Sequence, residues 1–375
     1  MKIGIEAKWL FRGPPSGCRV VRNLVDALVA AGGTDELHLF LDQRARSEPT
    51  PAGIAPEHCH YVWGGNNQLS NVFVVPRSAD RLRLDAVVYQ NFSPPAAKHA
   101  RIAFVHDVIF KTHPQYFTRS ERLYFLPLRY LAARADRVCT VSQTERARLV
   151  SFGYAESDRI DVVPNAVDHA VAGHDELPTG TRHEILERLG ARGSFVLYAG
   201  RLNARKNVAT LVRAMAHVRD PSISLIVVGA VDRTSVDLQA VAIAAGVAPR
   251  VRMVGAVSDA DLRVLYGAAT VFCFPSFDEG FGLCPLEAMA SGAPTVVSNI
   301  PAMMETCHDA AVYVDPADPV AMGAAIDALV NDVPRMTALR IAGRARARSF
   351  SWDRSAMLLL DSVHTAVEHR RTVVS

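Results

Sequence analysis

Residues 272–299 read FCFPSFDEGFGLCPLEAMASGAPTVVSN. An apolar run ends at Pro275, a loop carries Asp278, Glu279, Gly280 and Gly282, and the helix formers LEAMA precede a second apolar run beginning at Thr295. Strand, loop, helix and strand in that order form a β-α-β unit, the connection that joins parallel neighbours in a sheet. The same alternation extends in both directions. FVLYAG, SLIVVGA, VRMVGA and AVYVD read as the remaining strands of the second half, and MKIGIEA, ELHLFL, HYVWG, DAVVYQ, RIAFVHD, DRVCTVS and RIDVVPN as those of the first. The predicted class is α/β, with two doubly wound, Rossmann-like domains facing an interdomain cleft. Their predicted extents are residues 1–168 and 169–350, with a linker and first helix within 166–189 and a terminal helix, 351–375, packing back on the first domain.

A chain of 375 residues, 49% hydrophobic and 21% charged, supplies apolar surface for two cores rather than one. A net charge of +3 lacks the clustered excess that nucleic acid demands, so anionic small molecules or an anionic membrane surface are the expected partners. Six cysteines, Cys18, Cys59, Cys139, Cys273, Cys284 and Cys307, are scattered without a C-x-x-C pair, which fits reduced thiols in a cytoplasmic protein. At His58-Cys59-His60, strand alternation turns Cys59 away from both histidines, and the segment reads as an ordinary strand rather than a metal cluster. The start, MKIGIEAKWLF, has the alternation of a strand and not the pattern of a signal peptide. The longest apolar stretches, such as residues 223–231, are too short to cross a bilayer, so membrane contact is expected to be peripheral.

Four segments carry candidate chemistry. In 272–299, Gly280 and Gly282 let the backbone approach an anion, and the helix that follows presents N–H groups and its dipole to a phosphate. Glu279 and Glu287, one in the loop and one in the first helical turns, suit the hydroxyls of a sugar and a ribose. In residues 198–207, YAGRLNARKN, Gly200 ends a strand and Arg201 and Lys206 place positive charge at the carboxyl edge of the sheet, where a diphosphate is neutralised. In FVHDV, His106 stands at a strand end, placed to bond a substrate hydroxyl or carry a proton. The segment Gly13-Pro14-Pro15-Ser16-Gly17, before a helix expected to begin near Val20, reads equally as a ligand-approaching loop and a stiff proline turn.

Taken together these segments resemble glycosyltransferase family 4, retaining enzymes of GT-B architecture. DEGFGLCPLEAMASGAPTVVS looks like that family's paired-glutamate motif around a Gly-Phe-Gly core, and AGRLNARKN, VHDVIF, TVSQTE and VVPNAVD fall in its usual order. The resemblance implies that Arg201 and Lys206 bind the donor diphosphate, Glu287 the ribose, and Glu279 and His106 the donor sugar. It also implies that Gly17 closes over diphosphate and acceptor, that Gly200 and Gly280 belong to the donor site, and that Phe281, Gly282 and Leu283 add backbone N–H groups to the phosphate cradle. No metal and no other cofactor is expected, because positive side chains and a helix terminus take over the metal's role. The first loop departs from the family: of its close glycine pair, only Gly17 is retained unambiguously. The implied reaction is retaining transfer of a sugar, mannose or a deoxyhexose by resemblance, from a GDP- or UDP-linked donor to a saccharide or lipid-linked acceptor in cell-surface polysaccharide synthesis. A nucleotide-sugar epimerase or hydrolase of the same architecture, and a non-catalytic nucleotide-sugar-binding protein, are the alternatives. The basic, aromatic residues 119–137 read equally as a packed amphipathic helix and as a surface that docks on anionic lipid at the inner face of the plasma membrane.

Overall fold

The computed structural model describes residues 1–167, 177–232 and 235–374. The chain divides into two compact units, Met1–Asn165 with Ser351–Ser375, and Ala166–Phe350. The predicted boundary at 168/169 and part of the linker, 168–176, lie outside the described residues.

In the first unit, β1 (Lys2–Glu6), β2 (Glu36–Asp42), β3 (Cys59–Val62), β4 (Ala86–Gln90), β5 (Ala100–Val105), β6 (Arg137–Thr140) and β7 (Ile160–Val162) form one sheet in the order β3-β2-β1-β4-β5-β6-β7. In the second, β8 (Phe195–Ala199), β9 (Ser224–Val228), β10 (Val251–Gly255), β11 (Val271–Phe274), β12 (Thr295–Ser298) and β13 (Val312–Val314) order as β10-β9-β8-β11-β12-β13. Every pairing is parallel. Parallel strands are covered by helices on both faces, which is why β4 (AVVYQ) and β8 (FVLYA) are buried at every residue instead of alternating. Both sheets reverse their winding once, between β1 and β4 and between β8 and β11. The loops leaving the carboxyl ends diverge there and open a crevice, the place where such sheets bind ligands.

The helix after β1 starts earlier than its sequence suggests, at Pro15 rather than near Val20, and runs to Ala31. The ring of Pro15 already holds the φ of a first helical residue. Gly17 therefore lies in the first helical turn and not in a loop, and a Cβ on it would come within 3.0 Å of Trp9 Cε3. The helix Trp352–Val374 packs against this helix and against β4, β5 and β6, so it belongs to the first unit's core. Its Ser362 hydroxyl donates to Asp161 Oδ2 at 2.7 Å and its Arg370 guanidinium to the His99 carbonyl at 2.6 Å. Residues 119–137 are not one helix: Pro127 separates Arg119–Phe125 from Leu128–Ala133, and Arg137 already opens β6.

Candidate functional site

At the β8/β11 reversal, two loops are laced together. The loop after β8 turns through Ala204–Lys206, capped by Asn203, whose side chain accepts from the Lys206 N–H at 3.1 Å. Asn207 follows with φ 56°, a left-handed backbone that asparagine tolerates better than most residues. Its buried side-chain amide donates to the Pro275 carbonyl at 3.1 Å and to the Pro316 carbonyl at 2.6 Å, while its oxygen accepts from the Thr210 hydroxyl at 2.7 Å. The Phe277 N–H donates to the Arg205 carbonyl at 2.9 Å, and the Arg205 guanidinium bonds the Asp278 carbonyl.

This lacing delivers two cations to one carboxylate. Lys206 Nζ lies 2.6 Å and Arg205 Nη1 3.1 Å from Glu279 Oε1. Lys206 Nζ also sits 4.6 Å from the centre of the Phe274 ring. Burial alone would push the Glu279 pKa up; the Arg205 and Lys206 charges overcome it and hold the carboxyl at about 2. At neutral pH the cluster is a carboxylate with two cations, an excess of positive charge at the mouth of the sheet. Arg201 is placed differently. It is half exposed and reaches Asp232 Oδ2 at 3.4 Å, while the backbone around it pairs with the end of β9 and the chain just beyond, Gly200 N–H to the Val228 carbonyl at 3.0 Å and Leu202 N–H to the Ala230 carbonyl at 2.9 Å.

The helix Leu283–Ala290 begins beside Glu279. Its N-cap is Gly282 at φ 106°, and no side chain caps the terminus. The positive φ is what reserves the position for glycine; a Cβ there would lie 2.4 Å from Met303 Cε, the mobile end of a side chain that can move aside. Gly280 and Phe281 are buried in the same loop; the Phe281 carbonyl accepts from the Thr306 hydroxyl at 2.6 Å, and its ring meets Phe350 edge-on at 5.5 Å. Leu283, half buried, is the first helical residue. Glu287, one turn on, is buried and accepts from the Tyr266 hydroxyl at 3.0 Å. The two glutamates thus have separate partners.

At the β1/β4 reversal of the first unit, a buried polar chain runs through five residues. Lys8 Nζ donates to Asn71 Oδ1 at 2.5 Å, Asn71 Nδ2 to Glu6 Oε2 at 3.1 Å and to the Gln90 carbonyl at 3.1 Å, and the Gln90 N–H to Glu6 Oε2 at 3.2 Å. His106 Nε2 bonds Gln90 Oε1 at 2.7 Å. Because that oxygen only accepts, Nε2 carries the proton and Nδ1 is left as an acceptor. The ring packs between Phe104 (4.9 Å) and Trp9 (6.1 Å), and burial lowers its pKa to about 4, so it is neutral at pH 7. Asn71 sits in a π-helical turn, Ser70–Val74, which swings its amide into the network.

Beside this chain, a cavity of about 340 Å³ is lined by Lys8, Trp9, Arg12, Asp42, Arg44 and Asn67 among others. Three cations face one carboxylate, and Arg44 is paired with that carboxylate at 2.5 Å. Neither polar side-chain atom of Asn67 has a hydrogen-bond partner within the protein, so both can serve a water or a polar ligand in the cavity.

Sequence reading missed Arg205, Asn207, Lys8 and Asn67. Arg205 stood inside the quoted RLNARKN segment, adjacent to Lys206. Lys8, two residues past Glu6 and beyond a buried strand, was legible as a charge at a sheet's carboxyl edge. Asn67 and Asn207 carry no signal, because their roles depend on carbonyls and cavities remote in sequence.

Residues 184–346 match the model of glycosyl transferases group 1, and residues 18–171 that of Glycosyltransferase Family 4. The chain is 30% identical over 273 residues, 70% of each chain, to the O-antigen chain mannosyltransferase B of Escherichia coli. It is 33% identical over 264 residues, 65% of this chain and 54% of the relative, to a D-inositol 3-phosphate glycosyltransferase of Salinispora tropica. The aligned stretch thus spans little more than half the length of that relative. Among solved structures, a sucrose-phosphate synthase from Thermosynechococcus elongatus superposes with a TM-score of 0.75 at 21% identity, over 100% of both chains. Two family models that fall on the two sheet-bearing units, and a relative matched across most of its length, place this chain in the group 1, family 4 glycosyltransferase family, with the GT-B α/β fold.

Proposed function

We propose that the chain is a retaining, metal-independent glycosyltransferase that moves a sugar from a nucleotide-diphosphate sugar to a saccharide or lipid-linked acceptor in cell-surface polysaccharide synthesis. The observation that carries this reading is the Arg205–Lys206–Glu279 cluster at the β8/β11 reversal, set beside a helix N-terminus without a side-chain cap. A departing diphosphate gains negative charge as the bond to the sugar breaks, and two fixed cations with helix N–H groups stabilise that charge as a metal does elsewhere. Glu279, ionised at neutral pH, accepts only; it holds Lys206 and Arg205 in place and takes a sugar hydroxyl. Glu287 serves the ribose, and His106, a neutral imidazole, serves a sugar hydroxyl.

In the first unit, the cationic cavity with its unpartnered Asn67 suits an acceptor bearing a phosphate. The name of the Salinispora relative, a D-inositol 3-phosphate glycosyltransferase, accords with such an acceptor, and that of the Escherichia coli relative with a mannosyl donor. No described helix is long and apolar enough to cross a membrane. Leu123 (70% exposed) and Tyr130 (53%) on the two short helices, and Leu126 (63%) in the turn between them, stand out among Arg119, Arg122 and Arg134, a surface for peripheral docking on the anionic cytoplasmic leaflet.

The test is product formation from GDP-mannose, UDP-glucose and related donors, with inositol phosphate or a lipid-linked saccharide as acceptor, with and without Mg²⁺. Acceptor-dependent transfer that is indifferent to Mg²⁺ is expected. Donor consumption without acceptor points instead to an epimerase or hydrolase, and nucleotide binding without consumption to a non-catalytic protein.

A further inference from the structure

The amino ends of β2 and β3 lie at the opposite edge of the sheet from the cavity, and they gather an arrangement that the reading of His58-Cys59-His60 as an ordinary strand leaves out. Cys59 does turn away and is buried, but the residues that join the two histidines come from the neighbouring strand. Glu36 Oε1 lies 2.8 Å from His38 Nε2 and 3.3 Å from His58 Nε2, and the three ligand atoms all fall within 4.8 Å of one another. Behind them, His38 Nδ1 is 2.9 Å from His60 Nε2, with the two rings stacked at 5.2 Å and 15°. His38 is buried, which fixes its ring, while Glu36 and His58 are partly exposed and leave a way in.

A zinc ion takes imidazole nitrogens at about 2.0–2.1 Å and carboxylate oxygens at about 2.0–2.2 Å, and tetrahedral angles then separate neighbouring ligand atoms by roughly 3.3 Å. The spacings around Glu36 Oε1 need little side-chain rotation to meet that geometry. We propose that Glu36, His38 and His58 bind one divalent transition-metal ion, Zn²⁺ foremost, with a fourth position left to water and His60 as the positioning residue behind His38. When His38 Nε2 gives its lone pair to the metal, its proton resides on Nδ1 and is donated to His60 Nε2, whose own proton moves to its Nδ1. That second contact fixes the tautomer of the ligand.

The site lies four residues along β2 from Asp42, about 13 Å at strand rise, so it stands apart from the cavity. Its effect is structural. It clips the four-residue edge strand β3 to β2, and β3 leads into the segment that supplies Asn67 and Asn71.

The test uses the untagged full chain, treated with EDTA and desalted, then titrated with ZnCl₂ by calorimetry and followed by thermal unfolding. One Zn²⁺ per chain and a raised Tm are expected. Glu36→Gln and His58→Gln, both at partly exposed positions, abolish the saturable site while leaving the metal-free Tm close to that of the parent. His60→Phe keeps the ligand set and weakens binding about 10- to 100-fold, the usual cost of losing a partner behind a ligand. His308→Gln, an exposed histidine elsewhere, leaves binding unchanged. Absence of a saturable site, or one of equal strength in Glu36→Gln and His58→Gln, overturns the proposal.

Discussion

Lys206 touches two electron-rich groups at once, the Glu279 carboxylate at 2.6 Å and the Phe274 ring at 4.6 Å, and is held by both before any ligand arrives. Arg205 shares the same carboxylate, whereas Arg201 is tethered to Asp232 and half exposed. This ranks the three cations. Lys206→Ala and Arg205→Ala are each expected to lower turnover by about 100-fold or more, the scale of losing a positioned electrostatic group, with Arg201→Ala the mildest of the three in steady-state kinetics. Titration separates two other residues. The folded His106 pKa, about 4, lies below the value near 6.5 of an unfolded imidazole, so the unfolded chain binds more protons between those values. The stability tied to a neutral His106 is thus complete above pH 6.5 and lost as pH falls towards 4. Glu279, at about 2 when folded against 4.5 unfolded, contributes in full above pH 4.5 and loses its contribution as pH falls towards 2. Thermal unfolding followed across pH checks this: His106→Gln flattens the slope between pH 6.5 and 4 and leaves the lower limb in place.

Elements meet at this site through side chains that bond backbone carbonyls as well as through apolar packing. Asn207 joins the loops after β8, β11 and β13 with one amide, and its left-handed φ caps the next helix. Asn207→Ala strands the buried Pro275 carbonyl, at an expected cost of about 1–3 kcal/mol, and frees the part-buried Pro316 carbonyl to water, read together as a lower denaturant midpoint. Gly282→Ala places a side chain at φ 106°, a backbone that L residues rarely adopt, displaces the Met303 methyl, and is expected to weaken nucleotide binding along with stability. Much at this scale was legible in the chain. Runs such as FVLYAG and DAVVYQ are apolar throughout because parallel strands are covered on both faces, and the loop–helix pattern at 278–290 marks a helix N-terminus at a strand end. The start of the first helix was misjudged because Pro14-Pro15 reads as a turn, although proline is also a favoured first helical residue. The separate hydrogen-bond partners of Glu279 and Glu287, and the turning of Arg201 to Asp232, escape a reading by spacing because each is set by a neighbouring strand or helix.

At the scale of the molecule, one winding is used twice and given different chemistry. The reversal at β8/β11 carries cations and a helix terminus suited to a diphosphate; that at β1/β4 carries a buried polar chain beside a cationic cavity. The first unit also presents Leu123 and Leu126 among arginines, and replacing both by Ser is expected to reduce co-sedimentation with phosphatidylglycerol vesicles without changing Tm. Calorimetric titration with UDP, GDP, ADP and TDP, without added metal, tests the proposed donor site at β8/β11 most directly. Selective binding of one nucleotide, lost or strongly weakened in Lys206→Ala, is the predicted result. Binding of equal strength in Lys206→Ala, or no binding of any of the four to the parent chain, would contradict it.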